Sequence, residues 1–256
     1  MKRFGVCLVL GATVLLAEEK PAPPTGMIAG KVSWEGAIPV LKPLEVDPTV
    51  ARGCACAPNG PDGKKHTKPN EALLVDPEGK GVANAVLWLK GVKGGLVLGP
   101  VEIDQKDCVF SPHVSLITPG QKVRILNPEK IVHNFHLRGK VDGNLVIPRY
   151  ARNPGEIPMK EVPAKHVSEA EFIYVTCDIH SGWMSCWIAV MENGWAAKTD
   201  AKGAFRIEGV PPGKYVLALW HEKIERDGKP FLMEQEVVVG AGKETTTGFT
   251  LKADAP

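Results

Sequence analysis

The sequence has little that would mark a nucleic-acid-binding, membrane-spanning or helical protein. Its formal net charge is +2, and removal of Lys2 and Arg3 would bring it to 0, because no acidic residue precedes Glu18. A chain with balanced charge has no electrostatic attraction for nucleic acid or anionic lipid, so we expect neither as a partner. After residue 16 no apolar run is long enough to cross a membrane, so we expect no membrane span in the mature chain.

The first seventeen residues have the layout of a secretory signal peptide. Lys2 and Arg3 precede an apolar run from Phe4 to Leu16, and Ala17 follows the run. Because the run is too short for a comfortable membrane span, we expect residues 1–17 to be cleaved and the mature protein to be exported. The alternative is that the segment stays as an N-terminal anchor.

Long stretches of helical periodicity are also missing, and so are low-complexity tracts and internal repeats. The chain instead has 27 glycines, 22 prolines and many short runs in which apolar and polar residues alternate. This pattern is typical of strands joined by turns, so we expect an all-β protein. The roughly 239 residues after the signal segment are enough for one large β domain or two modest ones.

Residues 177–186, CDIHSGWMSC, place metal-ligand side chains on a short loop between two predicted strands. Cys177, His180 and Met184 offer a thiolate, an imidazole and a thioether. Copper in electron transfer is bound by two imidazoles and one thiolate, with a weak axial thioether, so the loop lacks one imidazole. The chain has neither the paired CxxC motifs of a structural zinc site nor the HExxH motif of a zinc protease, which argues against both.

The missing imidazole has two candidates in VHNFH, namely His133 and His136. Side chains alternate along a strand, so these two histidines point to opposite faces and only one of them can easily turn toward the loop. The residues alone leave the choice between them open.

A longer stretch resembles the cupredoxins, the plastocyanin-like blue copper proteins. FSPHVSLITPGQKVRILNPEKIVHNF followed by YVTCDIHSGWM is similar to the family's approach strand, first histidine and ligand loop. The resemblance covers about residues 99–192 and implies a Greek-key β-sandwich that holds one type 1 copper. The matching approach positions are Phe110, Pro112, Gly120 and Asn127. The four implied ligands are His133, Cys177, His180 and Met184.

The same resemblance implies a one-electron carrier rather than an enzyme, in the periplasm or on the surface of a bacterial cell. A redox protein would dock near His180, which family members expose through an apolar patch; here the patch would contain Ile179, Gly182 and Trp183. Three residues separate His180 from Met184, where family members commonly have two or four. This departure keeps open a copper enzyme or small-molecule sensor with an open copper position. A non-redox copper-binding or surface module is a further alternative.

Five cysteines follow the signal segment, and exported chains meet an oxidising environment. If Cys177 binds copper, the disulfide candidates are Cys54, Cys56, Cys108 and Cys186. A bond between Cys54 and Cys56 would be strained, because a single residue separates them. We therefore expect Cys54 to pair with Cys108 and Cys56 with Cys186, or the exchanged pairing. The alternative is a second metal bound by Cys54, Cys56 and Cys186.

The two ends of the chain resemble a second family. KTDAKGAFRIEGVPPGKYVLALWHE, within residues 193–252, is similar to the carboxypeptidase regulatory-like domain, a small Ig-like β-sandwich. GMIAGKVSWEG and GVANAVLWL, within residues 26–98, look like the first strands of the same module. The resemblance implies that the copper domain is inserted into a smaller sandwich that has no catalytic residues of its own. A tandem order with an N-terminal extension is the alternative.

Overall fold

Strands make up most of the regular structure of this chain. The structure is a computed structural model that describes residues 24–47, 67–148, 159–226, 229–230 and 232–252. These residues form nineteen β-strands and two short 3-10 helices, Lys106–Cys108 and Ala164–Val167. The predicted all-β class is confirmed.

The strands are numbered in chain order. They are β1 (Gly26–Glu35), β2 (Leu44–Glu45), β3 (Thr67–Lys68), β4 (Val86–Leu89), β5 (Val101–Ile103), β6 (Val114–Ile117), β7 (Val123–Leu126), β8 (His133–Arg138), β9 (Gly143–Ile147), β10 (Met159–Glu161), β11 (Glu171–Thr176), β12 (Ser185–Val190), β13 (Ala196–Lys198), β14 (Ala204–Val210), β15 (Gly213–Trp220), β16 (Glu225–Arg226), β17 (Lys229–Pro230), β18 (Met233–Val239) and β19 (Glu244–Lys252). Among the described residues, no helix has the length and apolar character needed to cross a membrane.

Two sheets enclose a first hydrophobic core. Strands β6, β12, β11, β8 and β9 form a five-stranded sheet in that order, and β10, β7 and β5 form a three-stranded sheet. In β7 Val123 and Ile125 are buried while their neighbours are partly exposed, because successive side chains of a strand point to opposite faces. Phe110 and Phe135 meet edge to face in this core, with ring centroids 5.1 Å apart. The inward faces of the two sheets thus pack as a β-sandwich.

A second core lies between sheets that combine both ends of the chain. Strands β14, β1 and β19 form one sheet, and β13, β4, β15 and β18 form the other. Strand β1 pairs antiparallel with β14 and parallel with β19. Ile28 and Val32 of β1 share the second core with Phe249 and Leu251 of β19. The chain therefore leaves this second sandwich after β4, builds the first sandwich, and returns at β13.

A third core joins the two sandwiches. Strands β4 and β15 carry apolar residues at successive positions, so both of their faces are buried. Leu87 and Leu89 face the second core, while Trp88 faces the five-stranded sheet of the first sandwich. Phe172 of that sheet stacks on Trp220 of β15, with ring centroids 4.3 Å apart. The interface between the sandwiches is thus an aromatic-rich core of its own.

Candidate metal centre

The predicted ligand loop begins where one strand ends beside the start of its neighbour. Strand β8 begins at His133, strand β11 ends at Thr176, and the two strands pair antiparallel. Cys177 therefore lies at the edge of the sheet where His133 begins. The N–H of Cys177 donates to the carbonyl oxygen of Met184 at 3.0 Å and closes the loop. Gly182 turns the chain with φ of +96°, a left-handed conformation that glycine adopts without steric cost.

Two imidazoles and one thiol sulfur converge at this edge. The Nδ1 atoms of His133 and His180 are 3.0 Å apart, and Sγ of Cys177 is 3.5 Å from Nδ1 of His180. A tetrahedral metal with nitrogen ligands at about 2.0 Å and sulfur at about 2.3 Å separates two nitrogens by about 3.3 Å and nitrogen from sulfur by about 3.5 Å. None of the three residues is more than 2% exposed. Both separations are therefore close to those of buried ligands that share one metal ion.

Strand alternation decides between the two candidate histidines. His133 is fully buried beside the loop, whereas His136 turns to the other face of β8. Nδ1 of His136 is 2.9 Å from Oδ2 of Asp178, and its Nε2 is 3.2 Å from Oδ2 of Asp142. His133 is therefore the imidazole that the fold brings to the loop.

Met184, the predicted axial ligand, is buried in the first core together with Cys177 and Trp183. Cys177 and Met184 also line a cavity of about 150 Å³. Asp178 and Gly182 belong to the same lining and are exposed, so the cavity opens to solvent beside the loop. Met184 thus lies in the predicted neighbourhood, and its bond to a metal stays a prediction.

The surroundings of Cys177 favour its thiolate. Burial raises the pKa of the Cys177 thiol, but hydrogen bonds from the rings of His133 and His180 and from the backbone N–H groups of Asn134 and His180 lower it to about 6. Burial likewise lowers the pKa of His133, yet Cys177 and Glu129 outweigh burial and raise it. Because the thiolate is the form that binds metals, the centre holds its sulfur in the reactive form near neutral pH.

Glu129 contributes to the centre and was missed in the sequence prediction. Nε2 of His133 donates to Oε2 of Glu129 at 2.6 Å, and the side chain of Glu129 is only 14% exposed. Metal-binding histidines commonly donate their second ring N–H to a carboxylate, which fixes the ring and its tautomer. Glu129 therefore leaves Nδ1 of His133 to face the loop. Its only signal in the sequence is its position four residues before His133, in a stretch that otherwise predicts a turn.

Asn134 ties strand β8 to the ligand loop. Its Oδ1 accepts hydrogen bonds from the backbone N–H of Asp178 at 2.7 Å and of Ile179 at 3.3 Å, and from the thiol of Cys177 at 3.3 Å. Its Nδ2 donates to Oδ2 of Asp178 at 2.9 Å and to Oδ1 of Asn144 at 2.7 Å. One nearly buried side chain therefore fixes the start of the loop relative to His133.

The cysteines depart from the predicted pairing. Cys177 and Cys186 are free, buried thiols, so the prediction that Cys186 closes a disulfide is wrong. Cys186 lies on β12 and points into the apolar first core, where burial raises the pKa of its thiol far above the usual range. Cys108 is disulfide-bonded. Its candidate partners Cys54 and Cys56 lie outside the described residues.

Cys108, which the sequence analysis named only as a disulfide candidate, lies beside the centre. Its Sγ and one ring nitrogen each of His133 and His180 all lie within 4.8 Å of one another. The backbone N–H of Cys108 donates to Oε2 of Glu129 at 3.3 Å, the same oxygen that holds His133. A disulfide sulfur is not a thiolate, so Cys177 supplies the thiolate in this state.

The surface of the loop also differs from the prediction. We expected His180 and Trp183 at the surface, but they are only 2% and 4% exposed. Asp178, Ile179, Ser181 and Gly182 form the exposed part of the loop. The ring of His180 packs between those of His133 and Trp183, with centroid distances of 4.7 and 5.7 Å. The imidazole therefore lies beneath the exposed surface of the loop rather than in it.

A family model matches only part of the chain. Residues 194–247 match the model described as polysaccharide lyase family 4, domain II. The match falls on the stretch that resembles the carboxypeptidase regulatory-like domain, and that resemblance stays a prediction. No curated protein matches the chain.

Solved structures similar to this chain include copper proteins. Amicyanin from Paracoccus versutus is 12% identical with a TM-score of 0.29, over 41% of this chain and 96% of that one. A mutant amicyanin in its Cu(I) form is 13% identical with a TM-score of 0.28, over 42% of this chain and 98% of that one. The copper-containing nitrite reductase from Thermus scotoductus SA-01 is 20% identical with a TM-score of 0.29, over 40% of this chain and 24% of that one. Similarities at this level do not assign a function.

Proposed function

We propose that this protein binds one copper ion and carries single electrons between redox partners. The observation that carries the proposal is the convergence of three buried donors in the first sandwich: Nδ1 of His180 lies 3.5 Å from Sγ of Cys177 and 3.0 Å from Nδ1 of His133. One thiolate and two imidazoles, with a thioether nearby, suit copper in electron transfer. A structural zinc site instead takes four firm ligands, and Mg²⁺ and Ca²⁺ take oxygen ligands.

Copper held by His133, Cys177 and His180, with Met184 as the axial ligand, would supply a reversible one-electron couple. The protein's own residues prepare the donors. Glu129 fixes the ring of His133, and Asn134 fixes the backbone where the loop begins. Burial limits the contact of the imidazole and thiolate donors with water. Because hydrogen bonds and packing set the donor positions, little needs to move when the charge of the centre changes.

The exposed part of the loop is the proposed docking surface. Ile179 is 40% exposed and precedes the buried His180, and exposed Asp178, Ser181 and Gly182 lie on the same loop. A small, weakly charged surface suits the brief encounters of redox proteins. A partner on this surface would exchange electrons through His180.

The proposal extends to the rest of the chain. We place the mature protein outside the cytoplasm of a bacterial cell, on the sequence pattern of residues 1–17, which lie outside the described residues. The second sandwich would be a non-catalytic module of the carboxypeptidase regulatory-like kind, so the chain as a whole would not be an enzyme.

One observation favours a second candidate, a copper enzyme or small-molecule sensor. The cavity of about 150 Å³ is lined by both Cys177 and Met184, so a small molecule could reach the axial side of the centre. Titration of the copper-loaded protein with azide separates the two candidates. A change of the copper spectrum at one azide per chain supports the sensor or enzyme, and an unchanged spectrum supports the carrier.

Electron exchange with a c-type haem protein tests the carrier directly. Ile179→Glu places a charge on the docking surface and should slow the bimolecular exchange while the copper spectrum stays unchanged. Val238→Glu is the matched control, because Val238 is 61% exposed on β18 of the second sandwich. Equal rates for the two variants would reject the docking surface. A copper-loaded protein that takes up no electron from a one-electron titrant would reject the carrier.

A further inference from the structure

Two cysteine sulfurs, not one, lie beside the same pair of imidazoles. Sγ of Cys177 is 3.5 Å from Nδ1 of His180. Sγ of Cys108 and a ring nitrogen of each of His133 and His180 lie within 4.8 Å of one another. Cys177 is a free thiol, whereas Cys108 is disulfide-bonded. The redox state of Cys108 therefore determines how many thiolates the centre can offer.

The position of Cys108 is coupled to that of His133. Oε2 of Glu129 accepts both the backbone N–H of Cys108, at 3.3 Å, and Nε2 of His133, at 2.6 Å. Cys108 is fully buried in the same core as Cys177. A sulfur and a nitrogen ligand of a tetrahedral site are separated by about 3.5 Å, so Sγ of Cys108 has to approach the ring nitrogens by about 1.3 Å or less. A side-chain rotation of a freed thiol covers such a distance.

The number of thiolates changes which metal the donor set suits. Two thiolates and two imidazoles form the tetrahedral donor set of a structural zinc site. One thiolate, two imidazoles and a weak thioether form the copper set described above. Both sets share His133, His180 and Cys177, so they exclude each other. When Cys108 is in a disulfide its sulfur is not a thiolate, so the zinc set lacks its fourth strong ligand.

We propose that the reduced protein holds a Cys2His2 zinc site built from Cys108, Cys177, His133 and His180, and that the disulfide at Cys108 keeps the centre selective for copper. The proposal rests on the metal centre of the proposed function and adds a second occupant to it. Reduction by a dithiol transfers two electrons and two protons to the disulfide, which yields the Cys108 thiol and a partner thiol while the dithiol becomes a disulfide. Zinc binding then releases the protons of the Cys108 and Cys177 thiols.

Zinc affinity of the full chain, measured by competition with a chromophoric chelator, tests the proposal. The dithiol-reduced protein, freed of reductant, should bind one Zn²⁺ about a hundredfold more tightly than the oxidised protein, the share of one ligand in a four-ligand zinc site. Cys108→Ser should abolish this gain even though its reduced form still carries the partner thiol. Cys186→Ser is the matched control and should keep the gain, because Cys186 is a free thiol that is not among the proposed ligands.

Cobalt gives a readout that needs no variant. Co²⁺ in the reduced wild-type chain should show about twice the thiolate charge-transfer intensity of Co²⁺ in the oxidised chain, because two thiolates replace one. Equal intensities, or a zinc gain that survives Cys108→Ser, would overturn the proposal. The proposed function would still stand if the oxidised chain then bound copper through Cys177. If neither redox state binds any of these metals, the proposed function is wrong, and the zinc proposal that rests on it is wrong as well.

Discussion

Asn134 offers the sharpest local test of how the fold prepares the centre. Asn134→Ala removes the Oδ1 that accepts the backbone N–H groups of Asp178 and Ile179 at 2.7 and 3.3 Å. A buried donor left without a partner costs about 1–3 kcal/mol. Water replaces the lost bond of the Asp178 N–H at small cost, because Asp178 is partly exposed and its side chain keeps contacts to His136, Arg138 and Asn144. We expect the loop to lose about 1–3 kcal/mol of local stability.

Hydrogen exchange of the Cys177 amide measures this loss. That N–H donates to Met184 across the loop and does not touch Asn134, so its exchange reports how often the loop opens. A loss of about 1–3 kcal/mol raises the equilibrium constant for opening of the loop about fivefold to 150-fold. Asn144→Ala is the control, because it removes one side-chain contact each of Asn134 and Asp178 and leaves the hydrogen bonds of the loop N–H groups in place; its effect should be under about threefold.

Asn134→Asp separates the hydrogen bonds from the size of the side chain. It keeps an acceptor oxygen for the loop N–H groups but loses the Nδ2 donor to Asp178 and Asn144, so the Cys177 amide should be better protected than in Asn134→Ala and less protected than in the wild type. The reasoning is wrong if the Cys177 amide in Asn134→Ala exchanges within threefold of the wild-type rate while the protein remains folded by circular dichroism.

Three further predictions concern pH and the charged neighbours. The ultraviolet thiolate absorbance of Cys177, taken as the difference from Cys177→Ser, should titrate with a midpoint near pH 6, and a midpoint near 9 would contradict this. Below pH 6 the metal affinity should fall about tenfold per pH unit, because the metal must displace the thiol proton. Glu129→Gln should lower the pKa of His133 and weaken metal binding by about tenfold to a hundredfold, measured by chelator competition, whereas Glu234→Gln on β18 should not. Burial lowers the pKa of His221 to about 4, so between pH 6.5 and 4 the unfolded chain binds more protons and stability falls as pH falls, by about 3 kcal/mol in total. Urea unfolding of His221→Gln should show a weaker pH dependence over this window than the wild type.

The ligand loop could be predicted because its signals are local. Side-chain alternation places His133 and His136 on opposite faces, and the structure shows this alternation along β8. The ligand candidates Cys177, His180 and Met184 lie in one short loop, and apolar and polar residues alternate in the sequence on both sides of it. Turn residues such as Gly182 mark the positions where the chain must adopt a positive φ.

The contacts that the sequence did not predict depend on long-range packing. Cys186 was predicted to pair because of its chemical type, yet its place on β12 points it into an apolar core. The approach of Cys108 to His133 depends on how the chain before β6 packs against the start of β8, which no local pattern encodes. His180 was expected at the surface, but Trp183 and His133 enclose its ring. The sequence thus predicted the residue types of the centre, and tertiary packing set their exposure and their neighbours.

The absorption spectrum of the oxidised chain loaded with one Cu²⁺ tests the central claim most directly. We predict an intense visible band from charge transfer between the Cys177 thiolate and copper, at one copper per chain. The band should vanish in Cys177→Ser and persist in Cys186→Ser, because Cys186 is a buried thiol with no part in the centre. Only weak ligand-field bands in the wild-type chain, or an intense band that survives Cys177→Ser, would contradict the account.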